Sequence, residues 1–331
     1  MKAVFRPFHF PPAGFKMKVY LTIDVETYSG DCARDIDGGG LGLGYLLEQL
    51  HRFDVRATFF MEALGATQWG NGPLREMCRR VMDPGHSVQL HIHPVTAKLE
   101  GFRDKFDTMW RQDRVCQARL IGKGLEILES CGIQGVAAFR AGSLAANKDT
   151  LLAMMDCGIR VGSNRDLDVK SSIESKLNEY FPVINDVSAN AGVVDVPVTV
   201  LRSPFPGLDG RFRHLEICAV GAGELINALR RLERAGYASV CILTHPQEFF
   251  AMTPNGPVPK WANRRRLERL LDFLAKARRV FEPDTMDARI SALSLSLHVR
   301  PMLTFNPLHS FVRLVEQAAK RLEWRRLGCC R

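Results

Sequence analysis

Residues 19–27 constrain the fold more than any other part of the chain. They form a mostly apolar run that ends in two carboxylates one residue apart, Asp24 and Glu26. A continuous apolar run of this length, ended by polar residues, is typical of a buried strand in a parallel sheet. Side chains two apart on a strand point to the same face, so both acids are expected together at its C-terminal end. In parallel α/β folds, active sites are assembled at that end.

The acid pair on its own has two interpretations. One is a strand-end turn with solvated acids, because paired acids are only a probabilistic marker of a site. The other is a functional pair, because adjacent carboxylates repel each other unless a cation lies between them or they differ in protonation. Residues further along the chain favour the second interpretation.

Apolar runs alternate with amphipathic segments along the rest of the chain. About seven such alternations predict a (β/α) barrel rather than two open sheets. After the first strand, the predicted strands are 56–61, 87–93, 136–140, 160–162, 193–200, 215–220 and 239–245, and the predicted helices are 45–52, 74–82, 103–130, 150–157, 224–235 and 264–280.

Two histidines lie at the end of the third predicted strand. His91 and His93 alternate with Leu90 and Ile92, so their imidazoles share one face. A single buried histidine is more often a hydrogen-bonded core residue than a ligand, but two on one face favour a metal. Imidazole and carboxylate together suit Zn²⁺, with a water in its open position.

Three further polar residues end predicted strands, namely Arg140, Asp195 and His245. In a barrel, the C-terminal ends of the strands meet at one mouth. These residues, the acid pair and the histidine pair are therefore expected to converge there.

Five short motifs, in this order, resemble those of the polysaccharide deacetylases, the NodB-homology carbohydrate esterases. The resemblance covers about residues 17–285, and the order of the motifs makes it specific. It implies a distorted (β/α)7 barrel of the NodB-homology type that removes N- or O-acyl groups from sugars with one divalent metal. The motifs are Thr-Ile-Asp-Val-Glu-Thr (22–27), Val-Arg-Ala-Thr-Phe-Phe (55–60), Gly-His-Ser-Val-Gln-Leu-His-Ile-His-Pro (85–94), Phe-Arg-Ala-Gly (139–142) and Leu-Thr-His-Pro (243–246).

The resemblance also implies catalytic roles for three residues. Asp24 matches the family's catalytic base, Arg140 the arginine that orients that base, and His245 the general acid. A general base takes the proton of the attacking water, and an imidazolium suits donation to a leaving amine near neutral pH.

The implied metal ligands depart from the common family pattern. Glu26 takes the place of the metal aspartate, as in the branch with an acid-x-acid motif, and His91 matches the first metal histidine. The second histidine of the family falls on Val95, so His93, which shares the face of His91, is the expected third ligand. His86 is the alternative third ligand.

Composition and charge narrow the class of protein. The 331 residues carry a net charge of +9, concentrated in 264–266, 278–279 and 320–326, but no recognisable nucleic-acid module. A solvated basic face, a phosphate-bearing substrate or an anionic membrane surface each account for this charge. The nine cysteines form no C-x-x-C pair and residues 1–15 no apolar signal core, so a reducing, cytoplasmic location is expected.

The chain is expected to divide into a lead (1–16), a barrel (17–287) and a basic amphipathic extension (288–331). The extension contains a predicted helix over 311–327 with an apolar stripe. That stripe is expected to dock on the barrel, and the alternative is peripheral contact with an anionic bilayer. The stripe residues are Phe311, Leu314, Val315, Ala318 and Leu322.

These observations predict a metal-dependent hydrolase of an acylated sugar or glycan, with one divalent metal, Zn²⁺ by ligand type. Without a secretory signal, a nucleotide-linked or lipid-linked sugar is the expected substrate, and no nucleic-acid partner is expected. Three alternatives stay open: a non-catalytic sugar-binding or scaffold protein, a hydrolase of a cyclic amide or formamide, and a phosphate-binding partner protein.

Overall fold

Parallel strands curl into a sheet around a packed interior in this computed structural model. It describes residues 16–27, 30–100, 102, 108–165, 176–181, 183–287, 289–290 and 300–326, with side chains except at 209 and 319–326. The strands are β1 (Met17–Val25), β2 (Thr58–Glu62), β3 (Ser87–Ile92), β4 (Ala138–Ala141), β5 (Val161–Gly162), β6 (Ser188–Asn190), β7 (Val193–Asp195), β8 (Val200–Arg202), β9 (Phe212–His214), β10 (Ser239–Thr244), β11 (Phe250–Thr253), β12 (Gly256–Pro259) and β13 (Phe281–Asp284).

Helices connect most of these strands. The α-helices are α1 (Leu43–Arg52), α2 (Ala66–Trp69), α3 (Asn71–Met82), α4 (Arg114–Ser130), α5 (Lys148–Asp156), α6 (Pro206–Asp209), α7 (Ala222–Arg234), α8 (Trp261–Lys276) and α9 (Pro307–Arg326). Short 3-10 helices lie at Pro94–Thr96, Met109–Arg111, Gly142–Leu144, Asn178–Tyr180 and Pro246–Phe249, and a π-helical turn at Ala33–Asp37.

Strand β1 lies inside the sheet, as its unbroken apolar run predicts. The order is β10-β1-β2-β3-β4-β5-β7, with every neighbouring pair parallel in the described residues. One side of β1 pairs with β10 from Lys18 to Ile23, and its last residues also pair with β2. A strand with partners on both sides and faces covered on both sides contains few polar residues until it ends.

The inner face of the curled sheet encloses its own apolar core. Tyr20, Phe60, Val161 and Cys241 are among its members, and each is nearly inaccessible to solvent. The outer face packs against the helices in a second, larger core. A sheet with separate inner and outer cores is the arrangement of a (β/α) barrel.

The barrel is distorted between β7 and β10. The amide of Leu215 donates to Thr199 O, whereas the amide of Ile217 donates to Leu243 O. Residues 215–220, predicted as a strand, form only an isolated bridge between Glu216 and Leu243, and that prediction is wrong. Because successive amides bond to different neighbours, no continuous ladder forms. The predicted seven-stranded parallel barrel is confirmed.

One predicted helix is shorter than expected. Helix α4 begins only at Arg114, because Asp113 has an extended backbone and its carboxylate accepts the amide of Cys116 as an N-cap. Residues 103–107 of the predicted helix lie outside the described residues.

The N-terminal end of the barrel is closed by the chain after β13. The amide of Met286 donates to Thr58 Oγ1, and its carbonyl accepts from Ser87 Oγ. Met286 itself is fully buried in the inner core. The opposite end, where the parallel strands terminate, stays available for a site.

The C-terminal helix docks on the barrel with the opposite face from the one predicted. On α9, Ser310 and Arg313 are buried, whereas Phe311 and Val315 of the predicted stripe are 58% and 53% exposed. Leu322 lies outside the described side chains. None of the described helices combines the length and the apolar character needed to cross a bilayer.

Candidate metal centre and active site

The C-terminal ends of β1, β3, β4 and β10 bring the predicted site residues together. Strand geometry explains this convergence, since the two acids leave β1 on one face and the two histidines leave β3 on the side that faces them. All are at least largely buried. The residues are Asp24, Glu26, His91, His93, Arg140 and His245.

One oxygen of Glu26 lies between the two histidines of β3. Glu26 Oε1 is 3.0 Å from His91 Nε2 and 2.9 Å from His93 Nε2. Burial raises the pKa of Glu26, but the hydrogen bonds and charges of the two imidazoles outweigh it and hold that pKa well below its usual value. The carboxylate is therefore ionised and available to a cation.

The surroundings of His91 define its tautomer. His91 Nδ1 lies 2.9 Å from the carbonyl oxygen of Arg140, which can only accept, so Nδ1 carries a proton. In the neutral ring, the lone pair of Nε2 then faces Glu26 Oε1, which is also an acceptor. Two buried acceptors in contact need a cation or a second proton between them.

The donor set fits a divalent metal of borderline softness. Glu26, His91 and His93 each offer one ligand atom, and these atoms lie within 4.8 Å of one another. Two imidazoles and one carboxylate with an open fourth position are a common catalytic zinc set. Asp24, Glu26 and His245 form a second group that meets the same criterion. The two groups share Glu26, so both describe one centre.

Gly142 leaves the space that His93 occupies. A Cβ atom at Gly142 would lie 2.5 Å from Nδ1 of His93, well inside contact distance. The glycine of the Phe-Arg-Ala-Gly motif therefore has a steric role. It lets β4 end directly beside the second imidazole.

Asp24 is held by Arg140 across the barrel mouth. Arg140 Nη1 lies 2.5 Å from Asp24 Oδ1, while Nη2 donates to Thr22 Oγ1 and to Ser163 Oγ. The guanidinium also lies 4.3 Å above the ring of Phe60. Every side of this buried arginine is thus occupied, and the position of Asp24 beside Glu26 is fixed.

His245 reaches the centre from the other side. Its Nε2 is 3.9 Å from Glu26 Oε1, and its Nδ1 bonds to Glu248 Oε1 at 2.8 Å. Burial lowers the pKa of His245, but the hydrogen bond to Glu248 and the charges of Asp24, Glu248 and Glu26 raise it to about 9. The neighbouring carboxylates orient the imidazole and keep it in its protonated form.

Sequence reasoning missed two buried acids beside this centre. Glu248 lies three residues after His245, and Thr244 Oγ1 donates to its second oxygen. Glu62 ends β2 and accepts the amides of Leu64 and Gly65. The available signal was position, because Glu62 directly follows the predicted strand 56–61 and Glu248 follows the Leu-Thr-His-Pro motif.

Two residues considered from the sequence lie outside the centre. Asp195 forms a buried ion pair with Arg165, Oδ2 to Nε 2.8 Å, and belongs to none of the ligand groups found in the described residues. His86, the alternative third ligand, lies before β3, where its Nδ1 accepts the amide of Ala57 at 3.2 Å. His93 rather than His86 therefore lies beside Glu26.

The comparisons with known proteins support the fold. No protein-family model matches the chain, and no curated protein matches it in sequence. The fold is similar to that of a candidate polysaccharide deacetylase from Mycobacterium smegmatis. That structure is 16% identical, the match covers 88% of this chain and 96% of that chain, and the TM-score is 0.55.

Two other solved structures match with lower TM-scores. One is a family 4 carbohydrate esterase from Streptomyces lividans in complex with acetate, 15% identical over 81% of this chain and 91% of that chain, with a TM-score of 0.42. The other is a CE4-family pseudoenzyme from Bacillus anthracis, 15% identical over 80% of this chain and 62% of that chain, with a TM-score of 0.41.

Proposed function

We propose that this chain is a metal-dependent hydrolase that removes an N-acyl group from a sugar. The observation that carries the proposal is the contact between His91 Nε2 and Glu26 Oε1 at 3.0 Å, where a neutral ring would place two acceptors against each other. A metal ion held by Glu26, His91 and His93 relieves that contact. When bound, it would polarise the acyl carbonyl and acidify a water.

The residues around this centre can carry the proton transfers. Asp24, fixed by Arg140, is placed to accept the proton of the attacking water. His245, held through Nδ1 by Glu248, directs Nε2 towards the centre and is placed to protonate the leaving nitrogen. A base and an acid that both face one metal site suit hydrolysis of an amide.

The substrate class comes from the motif resemblance and the deacetylase fold. An acylated sugar, free or linked to a nucleotide or lipid carrier, is the proposed substrate. Zn²⁺ is the proposed metal because two imidazoles and one carboxylate bind it well.

Metal analysis of the purified protein, together with a screen of N-acetylated and N-formylated sugars, tests the proposal. We expect one zinc per chain and release of acetate or formate from at least one sugar. Stoichiometric metal without any acyl release, combined with sugar binding, would instead establish a binding protein.

A further inference from the structure

The exposed face of α9 has a regular apolar pattern. Leu308, Phe311, Val312 and Val315 recur at i, i+3, i+4 and i+7 and are 70%, 58%, 48% and 53% exposed. Residues at this spacing line one side of a helix. We refer to these four as the α9 apolar stripe. An exposed contiguous apolar surface of this kind marks an interaction site.

This face is exposed because the helix is anchored through polar residues instead. Ser310 Oγ donates to Glu224 Oε1, and Arg313 Nε lies 3.2 Å from Glu224 Oε2. Arg213 also pairs with Glu224, so the anchor is a buried cluster of one acid and two arginines. The α9 apolar stripe is therefore held facing outward by a rigid contact.

A groove rich in cations lies next to α9, between α7 and α8. It encloses about 550 Å³ and is lined by Arg230, Arg269 and Lys276, among others. Gly223 at its edge packs against the ring of His309 on α9, so the groove borders the helix. We refer to this feature as the basic groove.

Three arginines of this surface lack a counter-ion among the described residues, namely Arg230, Arg265 and Arg269. Lys276, in contrast, pairs with Asp272. On α8, exposed Arg265 and Arg269 follow Trp261, which is 63% exposed, at one-turn intervals. Unpaired cations next to an apolar and aromatic surface attract an anionic partner that also has an apolar layer.

We infer that the α9 apolar stripe and the basic groove form a binding face for an anionic lipid bilayer. An amphipathic helix buries its apolar face at the boundary of headgroups and acyl chains, while arginines bind the phosphates. Trp261 suits the same interface, since its ring is apolar and its N–H is polar. The last turns of α9 add Lys320, Arg321, Arg325 and Arg326 in the sequence.

A series of contacts links α9 to the candidate active site. Arg266 of α8 pairs with Glu316 of α9 at 3.5 Å and donates to the carbonyl of Cys218 at 2.6 Å. Cys218 lies in one cluster with Glu248, which holds His245. Membrane binding does not depend on the hydrolase activity, so the two can fail separately.

Co-sedimentation of the full chain with vesicles tests this inference. We expect binding to phosphatidylcholine vesicles containing one-third phosphatidylglycerol, weak binding to phosphatidylcholine alone, and release in high salt. A Phe311→Gln/Val315→Gln variant should bind about 10- to 100-fold more weakly, since two apolar groups no longer transfer from water. The vesicle affinity of an Arg230→Gln/Arg269→Gln variant should fall about 30-fold, at roughly fivefold per cation removed.

Matched controls separate this face from general effects. Val115→Gln/Leu208→Gln removes two exposed apolar residues elsewhere, and Arg52→Gln/Arg56→Gln removes two cations elsewhere. Both should bind like the unchanged chain, and all variants should keep its melting temperature. Absence of binding to anionic vesicles, or equal binding by the test and control variants, would overturn the inference. So would a dimer in light scattering that Phe311→Gln/Val315→Gln converts to monomer.

Discussion

Arg140 Nη1 and Asp24 Oδ1 lie 2.5 Å apart, and the pair is buried at the mouth of the barrel. Two parallel strands that are not neighbours, β1 and β4, each contribute one partner. Because Thr22 and Ser163 also bind Arg140, its guanidinium cannot turn away. The acid beside the proposed metal ligands is therefore held in one position before any substrate binds.

Replacing Asp24 by Asn tests whether this acid is the base. The amide keeps the size of the side chain but cannot accept the proton of water. We expect turnover to fall by roughly two to four orders of magnitude, the range for loss of a general base, while the folded protein keeps its metal. Steady-state kinetics and metal content measure the two effects.

The control for this variant is Asp54→Asn, at an exposed position whose positive φ of 50° asparagine tolerates well. It should leave turnover unchanged. Loss of metal from Asp24→Asn would show that Asp24 is a ligand, as the alternative group with Glu26 and His245 permits.

Alanine at Glu26, His91 or His93 should abolish stoichiometric metal binding. Each change removes one of three ligand atoms, and His51→Ala, on the exposed side of α1, is the matched control. Metal removal from the unchanged chain by a chelator should also lower its stability, by about 2.7 kcal/mol relative to protein with metal at 100 times Kd. Full metal in His93→Ala would direct the search for the third ligand elsewhere.

Gly142→Ala tests the close packing of β4 against the metal site. The new methyl group would lie within 2.7 Å of ring atoms of His93, so the imidazole has to move. We expect metal affinity to fall about tenfold or more, as for other changes that misplace a ligand. Gly122→Ala, in the interior of α4 with no atom within 4 Å, should instead stabilise the protein by about 0.5–1 kcal/mol.

Protonation of His86 is expected to make the folded protein less stable at acidic pH. Burial, helped by the charge of Arg56, lowers its pKa from 6.5 to about 4 in the folded state. Between these values the unfolded chain binds more protons, so stability present above pH 6.5 is lost as the pH falls towards 4. The free energy of unfolding, measured with urea, should fall by about 3 kcal/mol over this range.

His86→Gln cannot take up that proton, and we expect it to remove this part of the pH dependence. The ring nitrogen Nδ1 accepts the amide of Ala57, so the variant also loses some stability at neutral pH. An unchanged slope between pH 4 and 6.5 in the variant would assign the acid sensitivity to other groups.

Glu224→Gln tests the anchor of α9. This change leaves the charges of Arg213 and Arg313 buried without their carboxylate. The free energy of unfolding should therefore fall by about 3–5 kcal/mol. Glu233→Gln, on the same helix and without an ion pair among the described residues, should change stability by less than about 0.5 kcal/mol.

Truncation after Asp287 should destabilise the barrel about as much as Glu224→Gln does and leave its metal content unchanged. A stable truncated protein would show that α9 is dispensable for the fold.

The strand pattern and most of the site could be predicted from the sequence. A buried parallel strand must be apolar along its length, and the polar residues that follow it must emerge at one end of the sheet. The run before Asp24 and the alternation around His91 and His93 therefore indicated both the strands and the residues that meet. These are local properties, fixed by backbone geometry alone.

Only the tertiary structure decided which partners these residues meet. Glu248 gains its role because the chain after β10 turns back on His245, and its position after the Leu-Thr-His-Pro motif does not by itself indicate that contact. Residues 215–220 alternate like a strand, but their amides bond to two different neighbours. On α9, apolar periodicity indicated the wrong face, because Ser310 and Arg313 on the other face bind the buried carboxylate of Glu224. Periodicity reports which side of a helix is apolar, but the groups that it packs against decide which side is buried.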